Sequence, residues 1–334
     1  MYFALPGLAV RGAIRGVFPV FNHLPEDVQA QPTALSVYGL VGVDMTHGIM
    51  LALAAAFIYG FLALSYDVAA KRHYQIWDVL LYMQFTGCLI GLAVTLFLVG
   101  LPFYNLRLLS MGLVGAVTFV GGGACYLQAS RERDIAANWT IVNLSVVLPI
   151  LVSVWWFKDA FSLAKGLGVL FTLASIVLIG GGFQRKAAAG PACRWFVYIS
   201  LAFFLNAWLV ILLRFVPAGR GPLFTAYLYG IGFLLVLGYK LARNRRWPKE
   251  GGLIGISAAV AVTHWSGLTL TMIALVVVGR VSSQAGLVVY PITNGLVIPV
   301  AVVLGALLLK QKVSFRSGMG VALGMVAMAL LSFS

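Results

Sequence analysis

Charge is what this chain has least of. Only 10% of its 334 residues are charged, and Asp and Glu together number 9. A water-facing surface needs far more than this, so an ordinary soluble domain is excluded and the bilayer becomes the solvent. Cysteine is scarce as well: Cys88, Cys125 and Cys193 have no regular spacing, which argues against both a disulfide framework and a metal site. Carboxylates are missing from the middle of every apolar run. Glu26, Glu132 and Glu250 lie outside the runs, and Asp67 and Asp78 flank the first loop. The chain also lacks a nucleophile elbow, a phosphate loop and a clean signal peptide. His73 and Asp78 have the His-x-x-x-x-Asp spacing of some acyltransferases, but no second motif of that chemistry accompanies them. The sequons at Asn138 and Asn143 fall inside an apolar run, where glycosylation is excluded. No catalytic residue, cofactor or metal is therefore expected, and the chain does not read as an enzyme.

What is present is apolar. Hydrophobic residues make up 61% of the chain, and its 23 Lys and Arg give a net charge of +14. These cations sit between apolar runs, where they act as topology signals and headgroup contacts, so no nucleic-acid partner is expected. The runs fall near residues 47–67, 76–99, 107–129, 135–157 and 163–183, then 195–216, 221–242, 252–276, 284–308 and 315–333. Each is about long enough for a hydrocarbon core of ~30 Å at ~1.5 Å per residue. Residues 1–44 contain Pro6, Pro19, Pro25 and Pro32 and no such run. They are expected to form a non-spanning extension, with the native membrane protein opening near Met45.

The ten spans divide into two related sets. Ala136 to Gly168 and Gln284 to Gly320 share one layout, a helix with a central proline (Pro149, Pro299) leading into Ser-x-x-x-Gly-x-Gly. The motif reads Ser162, Gly166, Gly168 in the first copy and Ser314, Gly318, Gly320 in the second. Tyr59 and Gly60 of the first span align with Asn206 and Ala207 of the sixth, and Gly112 to Gly115 with Gly252 to Gly255. Five spans per unit is odd, so equivalent units must insert in opposite senses. The expected organisation is a five-helix repeat over 45–184, a linker over 185–194 and a second repeat over 195–334. Small-residue ridges such as Gly87 with Gly91, Gly121 to Gly123, and Gly320 with Gly324 suit close helix approach.

Ten spans in two inverted halves, the aromatic-Gly pair Tyr59-Gly60 and the Pro-helix, Ser, Gly pattern resemble the EamA-like transporters of the drug/metabolite transporter superfamily. The resemblance covers about residues 45 to 334. It implies an all-α membrane permease and says little about substrate. That family commonly has Glu three residues before the Ser of the motif, whereas Asp159 and Gln311 stand here. The two halves are thus expected to share shape but differ in electrostatics. The related small multidrug transporters use a buried Glu, which this chain lacks.

Strongly polar side chains at mid-bilayer cost several kcal/mol unless they face a cavity or a partner, so each marks a candidate site. Tyr59, Asn143, Asn206, His264 and Asn294 all fall near the midplane, on spans one, four, six, eight and nine. One cavity between the halves would collect them. Ser257, His264 and Thr271 share a stripe of the eighth span, and Gln284, Pro291 and Asn294 a stripe of the ninth. His264, whose free imidazole has a pKa of about 6.5, is a candidate proton carrier. Tyr59, Tyr126 and Trp265 could form an aromatic wall, while Trp139, Trp155 and Trp156 read as interfacial anchors. The expected substrate-binding set is therefore Tyr59, Asn143, Asn206, His264, Trp265, Gln284 and Asn294.

These features point to a permease of the cell (inner) membrane, monomeric or homodimeric, moving a small neutral or zwitterionic metabolite such as an amino acid. The alternative is a membrane-embedded enzyme or assembly factor that does not transport. Counting Lys and Arg by side gives 15 against 8, which would place both termini outside, whereas the resemblance implies cytoplasmic termini. An even number of spans puts both termini on one side.

Overall fold

A computed structural model describes residues 45–98, 105–133, 135–156, 162–180, 191–217, 219–243, 251–280, 285–311 and 314–332. Gln284, Asp159, the proposed extension 1–44 and most of the linker 185–194 lie outside them. Eleven α-helices fill the described residues, in the order α1 (Met45–Lys71), α2 (Ile76–Leu98), α3 (Leu106–Ser130), α4 (Ile135–Leu144), α5 (Val147–Trp156) and α6 (Leu163–Gly180). They continue as α7 (Pro191–Leu213), α8 (Gly221–Ala242), α9 (Gly251–Gly279), α10 (Ala285–Leu309) and α11 (Phe315–Ser332). Every expected span is helical. Eight segments are long and apolar enough to cross a membrane, the fourth running over Ile135–Val152, and two shorter apolar stretches lie in α6 and α11. The chain is an all-α, multi-pass membrane protein.

The fourth span departs from the expected unbroken helix. It divides at Ser145 and Val146 into α4 and α5. Pro149 has no N–H to give the Ser145 carbonyl four residues earlier, so that carbonyl instead accepts from Leu148 N at 3.0 Å, a tighter turn. In the second copy Pro291 and Pro299 lie within a continuous α10. The same residue type therefore breaks one copy and is absorbed by the other.

In lipid the hydrophobic effect does not drive helices together, so close packing must. Phe97, Phe315 and Leu163, each more than four-fifths exposed, mark the outward surface. The inward contacts cross between the first five spans and the last five. α1 packs on α9 and α10, and α7 packs on α3, α4 and α5. α2 packs on α8 and α9, and α8 on α2 and α3. α4 meets α10, and α6 meets α11.

The duplicated Ser-Gly motif has a packing role at the last of these interfaces. Ser162 Oγ accepts from Lys165 N at 3.2 Å and caps α6. A Cβ on Gly168 would lie 2.7 Å from the Leu331 side chain and 3.1 Å from the Ala327 carbonyl. A Cβ on Gly320 would lie 2.6 Å from the Ile179 side chain and 3.2 Å from the Ser175 carbonyl. Each glycine thus opens its helix to the same two positions of the other, and Ser175 Oγ seals the crossing by donating to the Gly320 carbonyl at 2.6 Å.

Gly91 shows how strict this packing is. A Cβ there would stand 2.9 Å from Ala226 Cα and 3.1 Å from Ala226 N, backbone atoms that no rotamer change can move away. Gly91→Ala is expected to part α2 from α8 and destabilise the protein by about 1–3 kcal/mol. Gly255, which has nothing within 4 Å, is the matched control. Gly255→Ala should be neutral or stabilising by up to about 1 kcal/mol. Thermal unfolding of the two variants in detergent compares them directly.

Candidate functional site

One cavity of about 100 Å³ lies at the centre of the bundle. That is room for a few waters or one small organic molecule. Helices of both halves build it. α1, α3 and α4 supply Tyr59, Tyr66, Phe119, Tyr126, Trp139 and Asn143, and α7, α9 and α10 supply Asn206, His264, Thr271, Tyr290, Thr293 and Asn294. Among the described residues the lining includes no Lys, Arg, Asp or Glu. Its polarity comes from amides, hydroxyls and one imidazole set among aromatic rings.

His264 is the most constrained of these groups. Its ring stacks on Phe119 with centroids 4.2 Å apart, and Nδ1 lies 2.6 Å from the Tyr229 hydroxyl. Tyr229 is fully buried, and His264 Nδ1 is the hydroxyl's partner among the described residues. A buried hydroxyl hydrogen needs an acceptor, so Tyr229 donates and Nδ1 receives. This selects the tautomer that carries its hydrogen on Nε2, leaving an N–H donor for the cavity. Tyr59, facing the ring at a centroid distance of 6.3 Å, shares a hydrogen bond with Thr271.

The asparagines repeat one arrangement. Asn143 Nδ2 donates to the Trp139 carbonyl at 2.8 Å, and Asn294 Nδ2 to the Tyr290 carbonyl at 2.9 Å, each four residues back along its helix. Asn206 Nδ2 donates to Ser145 Oγ at 2.9 Å and to the Val142 carbonyl at 3.4 Å. It thereby pins α7 to the break between α4 and α5.

At the face of the bundle where α1 ends, polar bonds tie the halves together. Gln311 Nε2 donates to Asp67 Oδ2 at 2.6 Å, and its Oε1 accepts from Ile135 N at 3.0 Å. One side chain thus joins the turn after α10 to α1 and α4. Asp67 follows the lining residue Tyr66 and is itself completely buried. Nearby, Lys71 donates to the Arg133 carbonyl, Arg194 pairs with Glu132 at 2.8 Å, and Trp195 donates to Asn138 at 2.6 Å. Lys240 pairs with Asp78 between α8 and α2. A glutamate in place of Gln311 would turn an acceptor toward the Asp67 carboxylate, where the amide donates.

Of the seven residues singled out from sequence, Tyr59, Asn143, Asn206, His264 and Asn294 stand around this one cavity. Trp265 does not: next to His264 it is turned about 100° around α9, and it packs against the hydrophobic core instead. Gln284 lies outside the described residues. Trp139, expected at the interface, is 7% exposed and lines the cavity, since α4 is buried along its whole length. Tyr229, Phe119, Tyr66 and Tyr290 went unnoticed because aromatic residues in apolar spans carry no signal of which way they face. Thr271 and Thr293 are lining residues of the same kind, and only Thr271 had a stripe to mark it.

A solved crystal structure of another protein superposes on this chain with a TM-score of 0.58, covering 86% of this chain and 97% of that one. The two are 15% identical, so the likeness is one of fold alone. No family model matches the chain, and no curated protein matches it.

Two expectations follow from the bonds described. His264→Phe keeps the stack on Phe119 but orphans the Tyr229 hydroxyl, and should cost about 1–3 kcal/mol. Adding Tyr229→Phe should recover most of that loss, a coupling that a double-mutant cycle of unfolding measurements would reveal. Gln311→Glu should set two carboxylates against each other and part the helix ends at that face. Labelling of Val142→Cys, at a lining position, by a membrane-impermeant thiol reagent should then rise relative to the Gln311 background.

Proposed function

We propose that this protein is an EamA-like permease of the cell membrane that moves a small neutral or zwitterionic metabolite by alternating access. The observation that carries the reading is the central cavity, which is built from three helices of the first five spans and three of the last five and is lined by uncharged polar groups that lie near the middle of their spans. Polar groups there are costly unless they serve a pathway or a binding site. The cross-half pairing supports the inverted-repeat organisation: exchanging the first five spans for the last five turns α1 on α9 into α7 on α3, and α2 on α9 into α8 on α3. The Gly168 and Gly320 contacts are reciprocal in the same way. Two similar units joined around one site provide the two arrangements that alternating access needs. The Gln311 ties to Asp67 and Ile135 would hold one face shut in the present arrangement.

The direct test is counterflow into vesicles reconstituted with the protein, using a panel of amino acids, amines and sugars. Saturable exchange of one class is expected. Gly122→Phe, which fills the cavity from a lining position, should reduce it to background. Absence of exchange across the panel, or exchange untouched by the plug, would reject the permease reading.

A further inference from the structure

Resting on that reading, we infer that the group recognised in the cavity is the primary ammonium of a small zwitterion, as in an amino acid. Asn206 and Asn294 spend both amide hydrogens within the protein, and Asn143 spends one. Nδ2 of Asn143 goes to the Trp139 carbonyl, that of Asn294 to the Tyr290 carbonyl, and that of Asn206 to Ser145 Oγ and the Val142 carbonyl. A carbonyl oxygen can only accept, so these bonds decide which end of each amide is nitrogen. Each Oδ1 is left without a partner among the described residues, on a side chain that lines the cavity. Three acceptors from α4, α7 and α10 therefore face one space of about 100 Å³.

An ammonium brings three N–H donors to such a site, and charge-assisted hydrogen bonds are about twice as strong as neutral ones. The rings of Tyr59, Tyr66, Phe119 and Tyr126 add faces that attract a cation, and no lining Lys or Arg repels one. A bare carboxylate would meet three oxygens and no positive charge. The donors the cavity does offer are His264 Nε2–H and the second Nδ2 hydrogen of Asn143. These suit an oxygen elsewhere on the same molecule. A zwitterion would thus bring its own counter-charge into a site that has none.

The test uses the full chain in lipid nanodiscs with four probes of matched carbon skeleton: n-butylamine, 2-aminobutyrate, butyrate and butyltrimethylammonium. The two primary ammonium compounds should raise the unfolding temperature. 2-Aminobutyrate should stabilise more than n-butylamine, and stabilisation by the amine alone would overturn the zwitterion. Butyltrimethylammonium keeps the charge but has no N–H, and should fail together with butyrate. Asn143→Leu, Asn206→Leu and Asn294→Leu should each weaken binding by about tenfold or more. Circular dichroism and gel-filtration profiles of the three variants, unchanged from those of the parent protein, guard against mistaking misfolding for lost recognition. Equal stabilisation by butyrate or butyltrimethylammonium, or none by either ammonium probe, would overturn the inference. Binding of the ammonium probes without vesicle exchange would keep the ligand class and reject the permease. Exchange confined to compounds without a primary ammonium would do the reverse.

Discussion

The structure depends on one constraint: in hydrocarbon, a polar group without a partner has no water to turn to. The threonines and asparagines within the spans answer it in two ways. Thr140 and Thr172 return their hydroxyls to carbonyls four residues back on their own helices. Asn143 and Asn294 satisfy their nitrogens in that way, Asn206 gives its nitrogen to Ser145 and Val142 of a neighbouring span, and all three leave their oxygens without a partner among the described residues, on side chains that line the cavity.

Holding the cavity open requires the helices around it to be packed elsewhere without slack. Glycine supplies that packing across the halves, with Gly168 and Gly320 at the α6 and α11 crossing and Gly91 against the backbone of α8. Gly60 lies against Val300, which brings α1 onto α10 beside the lining residue Tyr59. The same contacts that give the bundle its cohesion therefore also position the polar atoms. At the face where α1 ends, Gln311 completes the arrangement with hydrogen bonds to Asp67 and Ile135.

Much of this was legible before any coordinates. The run boundaries placed every helix to within a few residues, and the depth of Tyr59, Asn143, Asn206, His264 and Asn294 pointed to a common site. What misled was local inference about aromatic residues. Trp265 shares its neighbourhood in sequence with His264 but not its direction, and Trp139 reads as an anchor only until α4 is seen buried on all sides. The break at Ser145 was legible only in part: Pro149 announces a lost hydrogen bond, but Pro299 in the other copy announces the same and leaves α10 continuous.

Composition and run length by themselves determined that the chain crosses a bilayer many times, because the cost of charge and the span of a helix are settled segment by segment. The duplicated motif was legible in the same way, since it lies within contiguous sequence. Only the tertiary structure decided what the cavity offers a ligand. The free end of each asparagine depends on which carbonyl holds the other end. The hydrogen of His264 depends on Tyr229, a hydroxyl brought to it by another helix.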